Sequence, residues 1–341
     1  MALSVPRSRA TGLRSGRATR ERVSPLAQCI QLVADELHKS ERHLQEMLLS
    51  SVPAVGAIGR YLADSGGKRL RPLLTALAAR AAGHTGDISR LMCAGELLHL
   101  GSLLHDDVVD DALERRGQRS AHLVFGNAGV ILTGDVCLAR SVQVAAEEGG
   151  HDAVLALTRV VAEMSEGEVI QLLNRSNLAL PRAVYHDIIE RKSAALISWC
   201  AAAGAWASGN EAAVEGLAQF GRAVGTAFQI TDDVLDYAGQ SAVTGKQVGR
   251  DLVERKVTLP LLLAFERDPL LASAVANSTD KPEEVAILVR RVVATGAPAL
   301  ALEAAREHVA QGIDALHRAT PESAYRSALE ALAHHLVDRV K

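Results

Sequence analysis

Apolar side chains recur along this chain at intervals of three and four rather than in alternation, the period of helices packed on one face. Between Leu91 and Asp111, the residues Leu97, Leu98, Leu104 and Val108 fall at roughly helical spacing, and the same period runs through 152–173, 184–208, 212–238, 282–295, 299–317 and 322–340. Sustained apolar/polar alternation and Asn-Gly turns between β-branched runs are nearly absent, so strands are not expected. The breaks carry turn chemistry: Ser65-Gly66-Gly67, Gly83-His84-Thr85-Gly86, Gly149-Gly150, Gly239 to Gly249, Gly296-Ala297-Pro298 and Thr320-Pro321. No repeat of fixed period and no low-complexity linker interrupts the pattern. It predicts one all-α domain over 26–341, entered after a basic N-terminal tail at 1–25. Many helices are apolar around most of their circumference, which buries them in a bundle or sets them along an apolar cavity.

Composition narrows the function classes. With 48% apolar and 23% charged residues in 341, wholesale disorder is excluded. A net charge of -3 and only 3% aromatics argue against phosphate-neutralising or base-stacking nucleic-acid binding. Cys29, Cys93, Cys137 and Cys200 lie far apart without a CxxC pair, which suits buried thiols in a reducing, cytoplasmic setting. No uninterrupted apolar run reaches the ~18–20 residues of a membrane span, so no transmembrane segment is expected. The first 22 residues carry Arg7, Arg9, Arg14, Arg17, Arg20 and Arg22 with no acid before Glu21, a pattern also found in organellar transit peptides. Because 30 of the 37 basic residues are Arg, a plain basic tail is the preferred reading.

Two acidic clusters stand out against this apolar background. Asp106-Asp107-Val108-Val109-Asp110 interrupts a core-like helix, and Asp232-Asp233-Val234-Leu235-Asp236 repeats its spacing 126 residues later. On a helix the first and last carboxylates of each cluster share a face and repel unless a cation lies between them. Hard oxygen ligands on two facing helices suit Mg²⁺, which keeps several waters and binds through a few carboxylates plus substrate phosphates. A solvated acidic face would explain one such cluster; two, both flanked by Leu, Val and Ile, are much harder to explain that way. Basic partners are available in Gly66-Gly67-Lys68-Arg69-Leu70-Arg71-Pro72, Arg115-Arg116-Gly117, Lys192-Ser193, Gly245-Lys246 and Lys256. The glycines permit close backbone approach to a ligand, and arginine grips phosphate bidentately.

Together with Leu103-Leu104-His105 before the first cluster, Gly134-Asp135, Glu166-Gly167-Glu168, Phe228-Gln229-Ile230-Thr231 and Lys256-Val257-Thr258-Leu259-Pro260, these segments resemble the polyprenyl (trans-isoprenyl) diphosphate synthase family over roughly residues 28 to 341. The resemblance implies an all-α isoprenoid-synthase bundle around a deep central apolar cavity, usually a homodimer. It implies that Asp106 and Asp110 hold two Mg²⁺ and Asp232 a third, with Asp107, Asp233 and Asp236 in support. Arg115, Lys192, Lys246 and Lys256 would clamp the allylic diphosphate. Lys68, Arg71, His99 and Arg116, with Arg69 beside them, would hold isopentenyl diphosphate, while Ser193 and Gln229 would line the reacting end. The sequence departs from the family at Ser193 (usually Thr), Arg255 (usually Gly) and Val136 (often aromatic), none of them a metal or phosphate ligand.

The implied reaction is head-to-tail elongation of an allylic diphosphate to an all-trans polyprenyl diphosphate, for quinone or other isoprenoid use. Chain length would be set below the first cluster. There Gly101 and Ser102 are small, with Leu97 and Leu98 one turn deeper, ~5.4 Å further along the helix. An open passage at Gly101 and Ser102 leads to an expected product of around 40 carbons, with release of so apolar a product suggesting transient membrane contact. A shorter-chain geranylgeranyl or farnesylgeranyl synthase, a terpene cyclase and a non-catalytic or partner-dependent subunit are the competing readings. The second acidic cluster with the Gly-Lys-Arg segment disfavours the cyclase, and the complete set of six aspartates disfavours a silent subunit.

Overall fold

The computed structural model describes residues 25–238, 248–279 and 281–339, so Lys246 and all but the last residue of the expected tail lie outside the described residues. The helices are α1 Pro25–Leu32, α2 Ala34–Met47, α3 Pro53–Ala63, α4 Leu70–Ala81, α5 Leu91–Val109, α6 Ala121–Phe125, α7 Asn127–Val144 and α8 Gly150–Leu173. They continue with α9 Arg182–Ile189, α10 Ala195–Ser208, α11 Glu211–Ala238, α12 Arg250–Val253, α13 Leu259–Arg267 and α14 Leu271–Ala276, and close with α15 Pro282–Ala294, α16 Ala297–Ala319 and α17 Ala324–Asp338. This matches the all-α expectation.

The centre of the bundle is built from the helices with the least polar circumference. Every residue of α10 from Ala195 to Ala205 is buried, and α10 packs against α4, α8 and α11. Small residues set how closely these helices meet. A Cβ added at Gly204 would collide with the backbone of Ala79, so α10 and α4 touch nearly main chain to main chain. Such contacts extend the dispersion-rich surface of each helix, and any added methylene must be absorbed by strain.

The same geometry corrects one expectation about α5. Gly101 does not open a passage: a Cβ there would lie 2.9 Å from the Gly134 carbonyl oxygen and 3.3 Å from the Cys137 Cβ on α7. Its lack of a side chain is used to bring α5 and α7 together. Ser102 is half-buried with its hydroxyl donating to the His99 carbonyl oxygen at 2.9 Å, while Leu97 and Leu98 are buried in the core.

Two further features depart from the sequence expectation. Glu114–Arg115 and Gln118–Arg119 form a minimal antiparallel hairpin. Its turn residues Arg116 (φ 54°) and Gly117 (φ 77°) both have positive φ, as a type I′ turn requires. With two-residue strands the hairpin is too short to show as alternation. The second departure is that the helical stretch Asn127–Leu173, interrupted by a π-helical turn and by Gly150 at φ 80°, is long and apolar enough, by length and composition, to cross a membrane. Scattered charges such as Asp135, Arg140 and Arg159 break it into shorter apolar runs. Ile131, Leu132, Leu155, Val169 and Leu172 form an exposed apolar set along α7 and α8.

Candidate active site

Both acidic clusters sit at the C-terminal ends of long helices, and neither helix has a basic residue in its last turn. That is the negative end of the helix dipole, where a carboxylate is least favourable, typically by 0.3–1 kcal/mol. The two ends therefore concentrate negative potential. They meet at one cavity of about 760 Å³, whose walls include Asp106, Asp110, Asp232, Asp233 and Asp236 together with Lys68, Arg115, Lys192 and Lys256. The sequence-derived pairing of the clusters is thus realised in space.

The aspartates are in different states. Asp106 has no hydrogen bond or ion pair through its side chain among the described residues. Burial raises its pKa, with Lys192 pulling the other way. Asp107 is wholly buried, ion-paired to Arg115 and accepting from the Ala121 amide at 3.4 Å, so it ties the hairpin to α5. Asp110 is ion-paired to Arg175, and Asp232 to Arg339 at 2.9 Å. Asp236 accepts from the backbone amides of Arg250 at 3.1 Å and Asp251 at 3.0 Å, fixing the start of α12. Asp233 accepts from Tyr185 Oη at 2.6 Å and Gln229 Nε2 at 2.9 Å. Burial nevertheless lifts its pKa to about 7, against the pull of those two donors.

This arrangement fits a divalent cation. Asp106 and Asp110, one turn apart, and Asp232 from the other helix all face the cavity, and an unpartnered, partly buried carboxylate calls for a cation. No three such side chains among the described residues converge tightly enough to hold an ion by protein atoms alone. That is the expected condition for Mg²⁺, which completes its shell with water and phosphate oxygens.

The cationic side of the cavity is built from local irregularity. Lys192 and Ser193 lie in a π-helical turn, Glu190–Ala194, inserted between α9 and α10. Such turns are frequent at functional sites because they re-aim side chains without ending the helix. Lys192 is ion-paired to Glu168 of α8, and Lys256 to Glu254 at 2.5 Å. Burial alone would lower the Lys256 pKa, but Glu254 leaves it raised, so the amine stays charged.

Beside the cavity, Lys68 is exposed at the rim, and Arg116 donates to the Gly66 carbonyl, holding the Gly66-Gly67 turn. The Arg71 Nε is buried with no hydrogen-bond partner, a donor in want of an acceptor. Burial, with Arg71, Arg116, Arg115 and Arg69 around the ring, holds the His99 pKa well below the usual value. His99 is therefore a neutral donor at physiological pH.

Arg69 departs from its expected substrate-binding place. Its guanidinium donates to both oxygens of Glu41 at 2.8 and 3.0 Å, to Glu96 at 2.9 Å and to the Ala63 carbonyl at 3.2 Å; Arg71, His99 and Arg116 lie outside the cavity lining as Arg69 does, but only Arg69 has its donors taken up in this way. Conversely, Tyr185, Arg175, Arg339 and Arg250 line the cavity without having been singled out from the sequence. Tyr185 lies seven residues before Lys192, two helical turns, a spacing that could have found it.

A family model described as Polyprenyl synthetase matches residues 52–292. The chain belongs to that family. Its members are prenyltransferases of the all-α isoprenoid-synthase fold and are in general Mg-dependent. The octaprenyl diphosphate synthase of Haemophilus influenzae is 38% identical over 319 residues, covering 91% of this chain and 96% of the relative. That of Escherichia coli strain K12 is 34% identical over 316 residues, covering 91% and 97%. Among solved structures, a polyprenyl synthase from Caulobacter crescentus CB15 complexed with calcium and isoprenyl diphosphate superposes with a TM-score of 0.87 at 36% identity, covering 93% of this chain and 98% of that one. A decaprenyl diphosphate synthase from Rhodobacter capsulatus gives 0.85 at 34%, covering 93% and 100%.

Proposed function

We propose that this polyprenyl synthetase elongates an allylic prenyl diphosphate with isopentenyl diphosphate to a long all-trans polyprenyl diphosphate, of around 40 carbons. The observation that carries the reading is the meeting of two aspartate clusters, from the C-terminal ends of α5 and α11, at one cavity with Lys68, Arg115, Lys192 and Lys256. The octaprenyl relatives support the product length.

About three Mg²⁺, held by Asp106, Asp110 and Asp232, would supply positive charge against the departing diphosphate. Lys192 and Lys256 add fixed charge on the same side. Arg71, with its unused donor, and neutral His99 bind the second diphosphate, assisted by Lys68 and Arg116. Loss of the allylic diphosphate leaves a delocalised carbocation, which the double bond of isopentenyl diphosphate attacks; the condensed cation then gives a proton to the departed diphosphate. Ser193 and Gln229 stand at the reacting end, where they orient the chain. The apolar walls keep water from the cation.

A homodimer is part of the proposal, supported by the exposed apolar set on α7 and α8, a face of the kind that a second copy covers. A cytoplasmic location is supported by four free, buried thiols.

The test is to supply the purified chain with Mg²⁺, farnesyl diphosphate and labelled isopentenyl diphosphate, and to size the dephosphorylated products by chromatography and mass. A ladder ending near 40 carbons supports the full reading. A stop at 20 or 25 keeps the chemistry and removes the chain-length assignment, and no elongation by the chain alone overturns an autonomous synthase.

A further inference from the structure

Arg175 stands in the turn after α8 with its side chain on the cavity wall. Its one ion pair among the described residues is with Asp110, and at 34% exposure it is open to solvent on the cavity side. Its backbone is braced. Asn174 Nδ2 donates to the Ile170 carbonyl at 2.9 Å, Asn177 Nδ2 to Asn174 Oδ1 at 3.0 Å, and the Ser176 amide to the Arg255 carbonyl at 3.0 Å. A rigid base thus carries a side chain held at its tip by one contact.

Arg339 provides the contrast. It too pairs with a cluster aspartate, Asp232, but it also donates to the Leu336 carbonyl at 2.7 Å and the Phe228 carbonyl at 3.2 Å and lies 4.3 Å from the Phe228 ring centroid. Arg339 is anchored whatever happens at Asp232. Arg175 is free to leave Asp110 once that carboxylate finds a better cation.

A divalent cation held by Asp106 and Asp110 would be that better cation, since it would also satisfy the unpartnered Asp106 and carry twice the charge. The oxygen of Asp110 that receives Arg175 is then contested. A displaced guanidinium remains on the cavity wall with five donors whose planar fork suits phosphate oxygens.

We propose that Arg175 is a hand-over residue, holding Asp110 when no metal is bound and passing to the substrate diphosphate when metal takes Asp110. The proposal rests on the reading of the cavity as a metal–diphosphate site and adds a residue and an order of events to it.

The test uses the full chain and needs no turnover. Mn²⁺ binding without diphosphate is followed by electron paramagnetic resonance in wild type, R175Q, R175K and, as a check on the site itself, D110N. Inorganic pyrophosphate binding in saturating Mg²⁺ is followed by calorimetry. R175Q should bind Mn²⁺ about three- to tenfold more tightly than wild type, the weight of a partly exposed ion pair. It should bind pyrophosphate several-fold more weakly, with R175K between the two in both assays. Unchanged or weaker Mn²⁺ binding in R175Q overturns the hold on Asp110, and unchanged pyrophosphate binding overturns the transfer. If D110N binds Mn²⁺ like wild type, the metal assignment itself fails, a result distinct from either.

Discussion

Ser193 Oγ donates to Gln229 Oε1 at 2.7 Å, joining the π-helical turn before α10 to α11 at the cavity wall. The bond is the outer end of a chain: Gln229 Nε2 donates to Asp233 Oδ1, and Tyr185 Oη closes it on Asp233 Oδ2. A residue of one acidic cluster is thereby coupled to the two residues expected at the reacting end of the allylic chain.

Tyr185→Phe removes a donor that favours ionised Asp233, so the Asp233 pKa should move up from about 7. In the chelator-treated protein the Asp233 carboxyl should therefore titrate at higher pH in the variant than in wild type. An unchanged titration would assign Tyr185 to packing alone. Infrared titration of the carboxyl band, with Asp233→Asn to identify it, decides this.

The same carboxyl makes a prediction about stability. Its folded pKa of about 7 lies above the ordinary aspartate value of 3.8, so between those pH values the folded protein holds a proton that the unfolded chain has lost. Stability from this group therefore falls as pH rises from about 4 to 7 and stays lost above. Asp233→Asn should abolish that slope, stabilising the chelator-treated protein at pH 8 by roughly 2–4 kcal/mol and by little at pH 4. Denaturant midpoints at the two pH values measure it. The result would show the carboxyl to be kept at a cost to the fold.

The helices and the acidic clusters were legible in the sequence because both are local patterns: a 3.6-residue period, and carboxylates one turn apart inside an apolar run. What escaped depends on distant partners. In Gly66-Gly67-Lys68-Arg69-Leu70-Arg71 the three cations look alike, but Arg69 adopts φ 46° at the start of α4 and meets Glu41 and Glu96 from other helices. Arg175 and Arg339 are two arginines among 30, and only the folded chain brings them to Asp110 and Asp232. Gly101 was misread for the same reason: a small residue marks either open space or close packing, and the helix opposite decides which.

Gly101 therefore makes a prediction opposite to that of a cavity floor. Gly101→Ala already sets a methyl group 2.9 Å from the Gly134 carbonyl, and Gly101→Phe must part α5 from α7. Alanine should cost about 1–3 kcal/mol as overpacking, and phenylalanine considerably more. Thermal melts of both variants check this; a stable Gly101→Phe protein making a cleanly shortened product would restore the sequence-based reading.

Arg69 and Arg71, two residues apart, should separate anchoring from binding. Removing the Arg69 guanidinium leaves Glu96, only 3% exposed, without its ion pair at 2.9 Å, and frees Glu41 as well. A buried charge stripped of its partner typically costs about 3–5 kcal/mol. Arg69→Ala should accordingly lower the denaturant midpoint sharply while leaving the KM for isopentenyl diphosphate within about threefold in the folded fraction. Arg71 has a buried Nε with no protein acceptor, so the folded state without substrate has little to lose there. Arg71→Ala should raise that KM by about tenfold or more, the weight of a charge-assisted hydrogen bond to phosphate, with a smaller change in stability. The assignment turns on the contrast between the two: equal KM effects would return Arg69 to the substrate site and remove the distinction drawn from its bonds to Glu41 and Glu96.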